Sequence, residues 1–179
     1  MGEMIPLAAA VLLHEAGHLA AARLMKIPLR RGRGGFFGVR LQFDFSRCGY
    51  GREAAVHLAG PLCGIAAAFS VFAAETLRTG TGSERAGRFV LVNLALALMN
   101  LLPLPGFDGG GALLCFLRML PEGKDGRGPE RAERTAALAG WAARVLLWLF
   151  AARHALTEKP DVGLLLFAAG EIAGERRRG

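Results

Sequence analysis

The stretch LLHEAGHLAAA (Leu12–Ala22) sets His14 and His18 four residues apart inside an apolar, alanine-rich run. On a helix that spacing stacks both imidazoles on one face, where they can hold a single metal ion. Glu15 is adjacent and can reach a water on that ion. Together the residues spell H-E-x-x-H, the zinc-hydrolase pattern. In that chemistry Zn²⁺ lowers the pKa of its water to about 7, and the glutamate takes the proton as a carbonyl is attacked. The apolar setting sharpens the reading. Ionisable groups inside a membrane segment are costly and default to function.

A catalytic zinc needs a third protein ligand. His57, His154 and the acidic residues are the candidates. Asp108 lies in NLLPLPGFDGG (Asn100–Gly110), where Pro103, Pro105 and Gly106 forbid regular helix. Unwound backbone at membrane depth is tolerated only against protein or a wet cavity. Asp108 also reads as an ordinary turn residue before Gly109 and Gly110. Asn93 and Asn100 are seven apart, and their shared helical face can turn toward a polar site.

The elements that must position these groups follow from the apolar runs. Run one is Met4–Met25, run two Ala54–Leu77, run three Phe89–Leu102, with later runs at about 135–156 and 162–173. The first two are long enough as helices to cross ~30 Å of hydrocarbon. Run three reaches ~21 Å and needs the extended Pro103–Asp108 piece to complete a crossing. These three count as crossings. Run four carries Arg144, which needs a partner such as Glu171 or a route to the interface, and run five is short. Between runs one and two, Val39–Ser46 alternates apolar and polar residues, and Gly34–Gly35 suits a turn, so Ile27–Phe45 is expected to form a β-hairpin.

Charge sets an orientation. With run one passing from outside to inside, the inner segments 26–52, 118–134 and 175–179 hold fifteen Lys/Arg, against five in the outer loops. The positive-inside rule favours that layout, and since water must reach the polar groups, a polar channel opening toward the cytoplasm is expected. Hydrophobic residues make up 53% of the 179, and mean hydropathy is +0.34 with a net charge of +7. The basic residues fall between apolar runs rather than along one face, which argues against nucleic acid as a partner. Cys48, Cys63 and Cys115 form no zinc-ribbon or disulfide pattern and read as apolar filler. The first run lacks the basic flank of a signal peptide. Nothing in the sequence specifies an oligomer.

H-E-A-G-H (His14–His18) followed by N-L-L-P-L-P-G-F-D-G (Asn100–Gly109) resembles the paired HExxH and NxxPxxxxDG motifs of the site-2 proteases, the intramembrane zinc metalloproteases. Ala59–Pro61, AGP, resembles that family's weaker third signature. The resemblance spans residues 4–120 and implies a three-helix core in which His14, His18 and Asp108 bind Zn²⁺. It further implies Glu15 as general base and Asn100 as a polar accessory that holds substrate or oxyanion. Gly111 stands where the family often has an arginine. With no PDZ or CBS domain, the chain looks like the compact, sporulation-type members.

The expected fold is an all-α polytopic membrane protein with a small cytoplasmic-side β-hairpin. Residues 1–120 would form the catalytic core, 121–134 a charged linker, and 135–179 the C-terminal membrane segments with a basic tail. The expected function is a multi-pass cell-membrane zinc endopeptidase. It would cut a membrane-tethered protein substrate in or near its transmembrane segment, with the lipid bilayer as its setting. The rival is a non-catalytic polytopic metal-binding or transport protein using the same ligands. A third possibility, a soluble zincin, sits badly with so many long apolar runs.

Overall fold

The computed structural model describes residues 4–35, 38–121 and 126–157. In chain order these form α1 (Met4–Leu24), β1 (Leu29–Gly35), β2 (Gly38–Phe43), α2 (Tyr50–Thr79), α3 (Glu84–Asn100), α4 (Asp108–Met119) and α5 (Gly128–Thr157). The fold is mostly helical, with one two-stranded antiparallel sheet. α2 is the central post: α1, α3 and α4 all pack on it, while α5 packs on α4.

Small residues make the central contacts. A side chain at Gly17 of α1 would stand 2.5 Å from the Ala59 carbonyl oxygen of α2, so only glycine lets the two backbones come this close. Among the described residues nine of the thirteen buried hydrophobic residues are alanines, whereas Leu12, Phe69, Phe72, Leu91 and Leu98 point outward. That is the reverse of a water-soluble core, where the large apolar side chains lie inside. It suits a bundle whose surroundings are themselves apolar.

α1 ends where Lys26 takes a left-handed φ of 58° and the Ile27 N–H donates to the Ala22 carbonyl. The chain then turns into β1. The hairpin pairs Leu29 with Phe43 and Gly35 with Gly38, with an irregularity between Leu29 and Arg31. It therefore forms where the alternating sequence pattern puts it. Ile27 is buried with Ala22 of α1 and Val56 of α2, and Phe43, Phe45 and Cys48 close over them. This cluster ties the hairpin to the first two helices.

Among the described residues three helices are long and apolar enough to cross a membrane: α1, α2 and α5. Run three, expected to be too short to cross as helix alone, forms α3, which has 17 residues and opens on the charged stretch Glu84–Arg88. Run four extends backward. α5 starts at Gly128, inside the 121–134 stretch, because Gly128-Pro129-Glu130 places proline and acid in a first turn, where both favour helix. Run five, Glu171 and the side chain of His154 lie outside the described residues.

α4 begins at Asp108, one residue beyond a tight turn. The turn is closed by Leu104 N–H to Leu102 O at 2.7 Å and Phe107 N–H to Leu104 O at 3.1 Å. Leu104 is fully buried at its centre. A Cβ at Gly109 or Gly110 would collide with the Leu101 and Leu104 carbonyls. The two glycines after Asp108 thus let α4 start directly against the turn. α5 lies over the same turn, where a Cβ at Gly140 would stand 3.0 Å from Pro103 O.

Candidate metal centre

α1 delivers His14 and His18 to the α2 side, and both are buried, at 6% and 7% exposure. α4 delivers Asp108 from its first residue. His14 Nε2 lies 3.0 Å from Asp108 Oδ2, His18 Nε2 lies 3.3 Å from the same oxygen, and the two Nε2 atoms are 3.1 Å apart. Three donor atoms from residues up to 94 positions apart thus converge on one point. Asp108 sits at a helix N-terminus, where the exposed backbone N–H groups favour a negative charge.

The hydrogen bonds decide what this point can accept. His18 Nδ1 is 2.7 Å from the Val56 carbonyl oxygen. A carbonyl only accepts, so Nδ1 carries the proton. In the neutral ring Nε2 is then a bare lone pair. It faces another imidazole nitrogen and a carboxylate oxygen. Electron-rich atoms packed this closely need a proton or a cation between them. Tetrahedral ligation at ~2.0–2.1 Å separates donors by about 3.3 Å, close to the edges measured here, and a two-histidine, one-carboxylate set suits zinc. The residues present therefore fit a zinc ion, and His14, His18 and Asp108 form a group that could hold one.

The helix that supports His18 is shaped for it. A Cβ at Gly60 would overlap the His18 ring, so the glycine of the AGP triplet leaves the slot the imidazole fills. Pro61, inside α2, has no N–H to give the preceding turn. His14 is treated differently: its Nδ1 is buried and without a hydrogen-bond partner among the described residues.

The remaining candidates separate. Glu15 is half-buried, close enough to His14, His18 and Asp108 to feel their charge, and within reach of the Leu41 backbone N–H of β2. The hairpin's outer edge thus stands over the glutamate, a contact the sequence reading did not anticipate. Asn100 stays on its own helix, its Nδ2 donating to Leu96 O at 2.9 Å. Asn93 is buried against α2, and its Nδ2 likewise donates within α3, to Phe89 O. Both amide nitrogens thus bond within α3. His57 Nδ1 comes to 3.5 Å from Asp108 Oδ1, the oxygen turned away from the two histidines.

No protein-family model matches the chain, and no curated protein sequence matches it. Among solved structures it is similar to the site-2 protease from Methanocaldococcus jannaschii, with a TM-score of 0.67 and 21% identity. The match covers 97% of this chain and 75% of that one. The likeness is one of fold: the chain has the site-2 protease architecture.

Proposed function

We propose, with that shared architecture as the premise, that the chain is an intramembrane zinc endopeptidase. The observation that carries the proposal is the convergence of His14 Nε2, His18 Nε2 and Asp108 Oδ2 within 3.0–3.3 Å beside Glu15. A bound zinc supplies Lewis acidity at that point, which makes water a competent nucleophile near neutral pH. Glu15 follows His14 directly and is the one acid on α1 within electrostatic reach of all three donors. Its role is to take the proton of the attacking water and pass it to the leaving amine. His18 is held by Val56 O with its bare nitrogen aimed at the cluster, so it offers a lone pair without reorganising. α1 and α2, both long and apolar, set the site at membrane depth.

The substrate class follows from this depth. A peptide bond inside an intact helix has its carbonyl hydrogen-bonded and hidden. A membrane-tethered protein must therefore present a locally unwound segment to the site. Side-chain exposure rises from His14 and His18 (7% and 8%) to Asp108 (17%) and His57 (26%). Water is accordingly admitted from the side of α4 and the hairpin. The basic stretch 26–52 supports a cytoplasmic position for that side.

The test is cleavage of a single-span reporter by the purified chain in vesicles. Cleavage should stop with a chelator and return with added Zn²⁺. Glu15→Gln should lower it by about 10²–10⁴-fold or more while zinc remains bound. Chelator-sensitive cleavage that survives Glu15→Gln would remove the general-base assignment. Zinc binding with no cleavage by the wild-type chain would favour the metal-binding or transport alternative.

A further inference from the structure

His57 stands beside the metal cluster without joining it. Three elements fix its ring. α2 carries it, and Phe45, just after β2, lies against it with ring centroids 5.6 Å apart and planes at 38°. α4 receives its far edge at Gly111, where a Cβ would stand 2.6 Å from Cε1 and 2.7 Å from Nε2. A side chain at position 111 would push the ring away. The bare glycine, four helical positions along α4, is what allows a histidine of α2 to reach Asp108.

Asp108 needs such a neighbour. The carboxylate torsion of an aspartate is broad and two-fold, so its own side chain does not hold one oxygen toward the histidines. Oδ2 meets His14 and His18, while Oδ1 lies 3.5 Å from His57 Nδ1. His57 Nδ1 meets that outer oxygen rather than the point where the three donors converge, and its Nε2 edge is turned onto α4.

The geometry points to His57 as a positioning residue that engages the outer oxygen of Asp108 and so presents the inner oxygen, in one orientation, as a metal ligand. This rests on the zinc reading of the cluster. A ligating carboxylate is ordinarily braced in this way, and loss of the brace costs about 10–100-fold in metal affinity. The residue is also a bridge. Because Phe45 packs on the same ring, the hairpin and the metal ligand share one support.

The test uses the full chain in detergent, with zinc affinity measured by chelator competition and the absorption spectrum recorded after loading with Co²⁺. His57→Phe keeps a ring against Phe45 and Gly111 but removes both nitrogens. It should weaken zinc binding by about 10–100-fold. His57→Asn places an amide nitrogen near the Nδ1 position and should restore most of that loss. Gly111→Ala, which displaces the ring and leaves His57 intact, should weaken binding as the Phe variant does. The Co²⁺ band should keep its position and intensity in all three, because the ligands are unchanged. Wild-type affinity in His57→Phe would overturn the proposal, as would an Asn variant as weak as Phe. A Co²⁺ band that loses a nitrogen ligand in the Asn variant would make His57 itself a ligand and also overturn it. Failure of the wild-type chain to bind either metal would sink the zinc reading, and this proposal with it. Binding that none of the three variants disturbs would sink this proposal alone.

Discussion

The two ends of α2 live by different rules. Around Val56, His57 and Gly60 the helix is pressed on by α1 and α4, and polar groups there meet partners from other elements. His18 is answered by the Val56 carbonyl, and Asp108 by the imidazoles of His14, His18 and His57. Toward Phe69, Phe72 and Leu77 the same helix turns large side chains outward, at 63%, 58% and 89% exposure, and α3 accompanies it. The Ser70 and Thr76 hydroxyls there donate to carbonyls four residues back on α2 itself. One end is constrained because three donor atoms converge there within 3.0–3.3 Å of one another. The other needs only length and apolar surface.

The contrast can be broken most severely at Gly60. Gly60→Ala places a methyl on the His18 ring, which cannot retreat without leaving the Val56 carbonyl. We expect zinc affinity to fall by about 100-fold, the upper end for a lost supporting contact, with cleavage lost and helix content by circular dichroism retained. A Gly60→Ala chain that binds zinc normally would show the constrained end to be looser than described. The matching change on the free side is Leu91→Ala, at a residue 68% exposed on α3. Alanine is at least as good a helix former, and little packing is lost. Thermal stability in detergent should shift by no more than about 0.5 kcal/mol, and cleavage should be unchanged. A large loss would mean that α3 is packed against something on that face.

The smallest effect concerns the base of the hairpin. The Ser46 hydroxyl and backbone N–H, with the Arg30 guanidinium at 3.1 Å, hold the Asp44 carboxyl below its ordinary value of 3.8. A depressed carboxylate stabilises the fold above its unfolded pKa, and that contribution is lost as pH falls through the folded one. Asp44→Asn should therefore melt slightly below wild type at neutral pH, and the two melting curves should converge as the pH drops below 3.8. The group is exposed, so salt should shrink the gap. A gap that stays constant with pH would show the carboxylate to be unimportant there.

How much of this was legible in the chain differs element by element. The period of the His14–His18 pair and the length of runs one and two determine α1 and α2. The strict alternation after Gly38 determines the hairpin. These are local facts, and local periodicity carries them. Run three forms a 17-residue helix, short for a crossing as its apolar length implies, whereas run four grows backward into the charged stretch. Helix boundaries depend on the proline and acid at Gly128–Glu130 as much as on hydropathy. Family resemblance implies Asn100 as a polar accessory near the metal. Its Nδ2 donates to Leu96 O of the preceding turn, a bond available to it within α3 alone.

The sequence by itself determined which side chains could ligate and that two of them share a helical face, because spacing along a helix is fixed by its pitch. It left the third donor open among His57, His154 and the acids, except by resemblance. Tertiary structure decided that Asp108 meets His14 and His18, that Val56 sets the His18 tautomer, and that His57 reaches the outer carboxylate oxygen over Gly111. Those contacts join residues 38 to 94 positions apart, and no local pattern encodes a distance between helices. What encodes it is the set of absent side chains at Gly17, Gly60 and Gly111, whose meaning appears only when the neighbouring helix is in place.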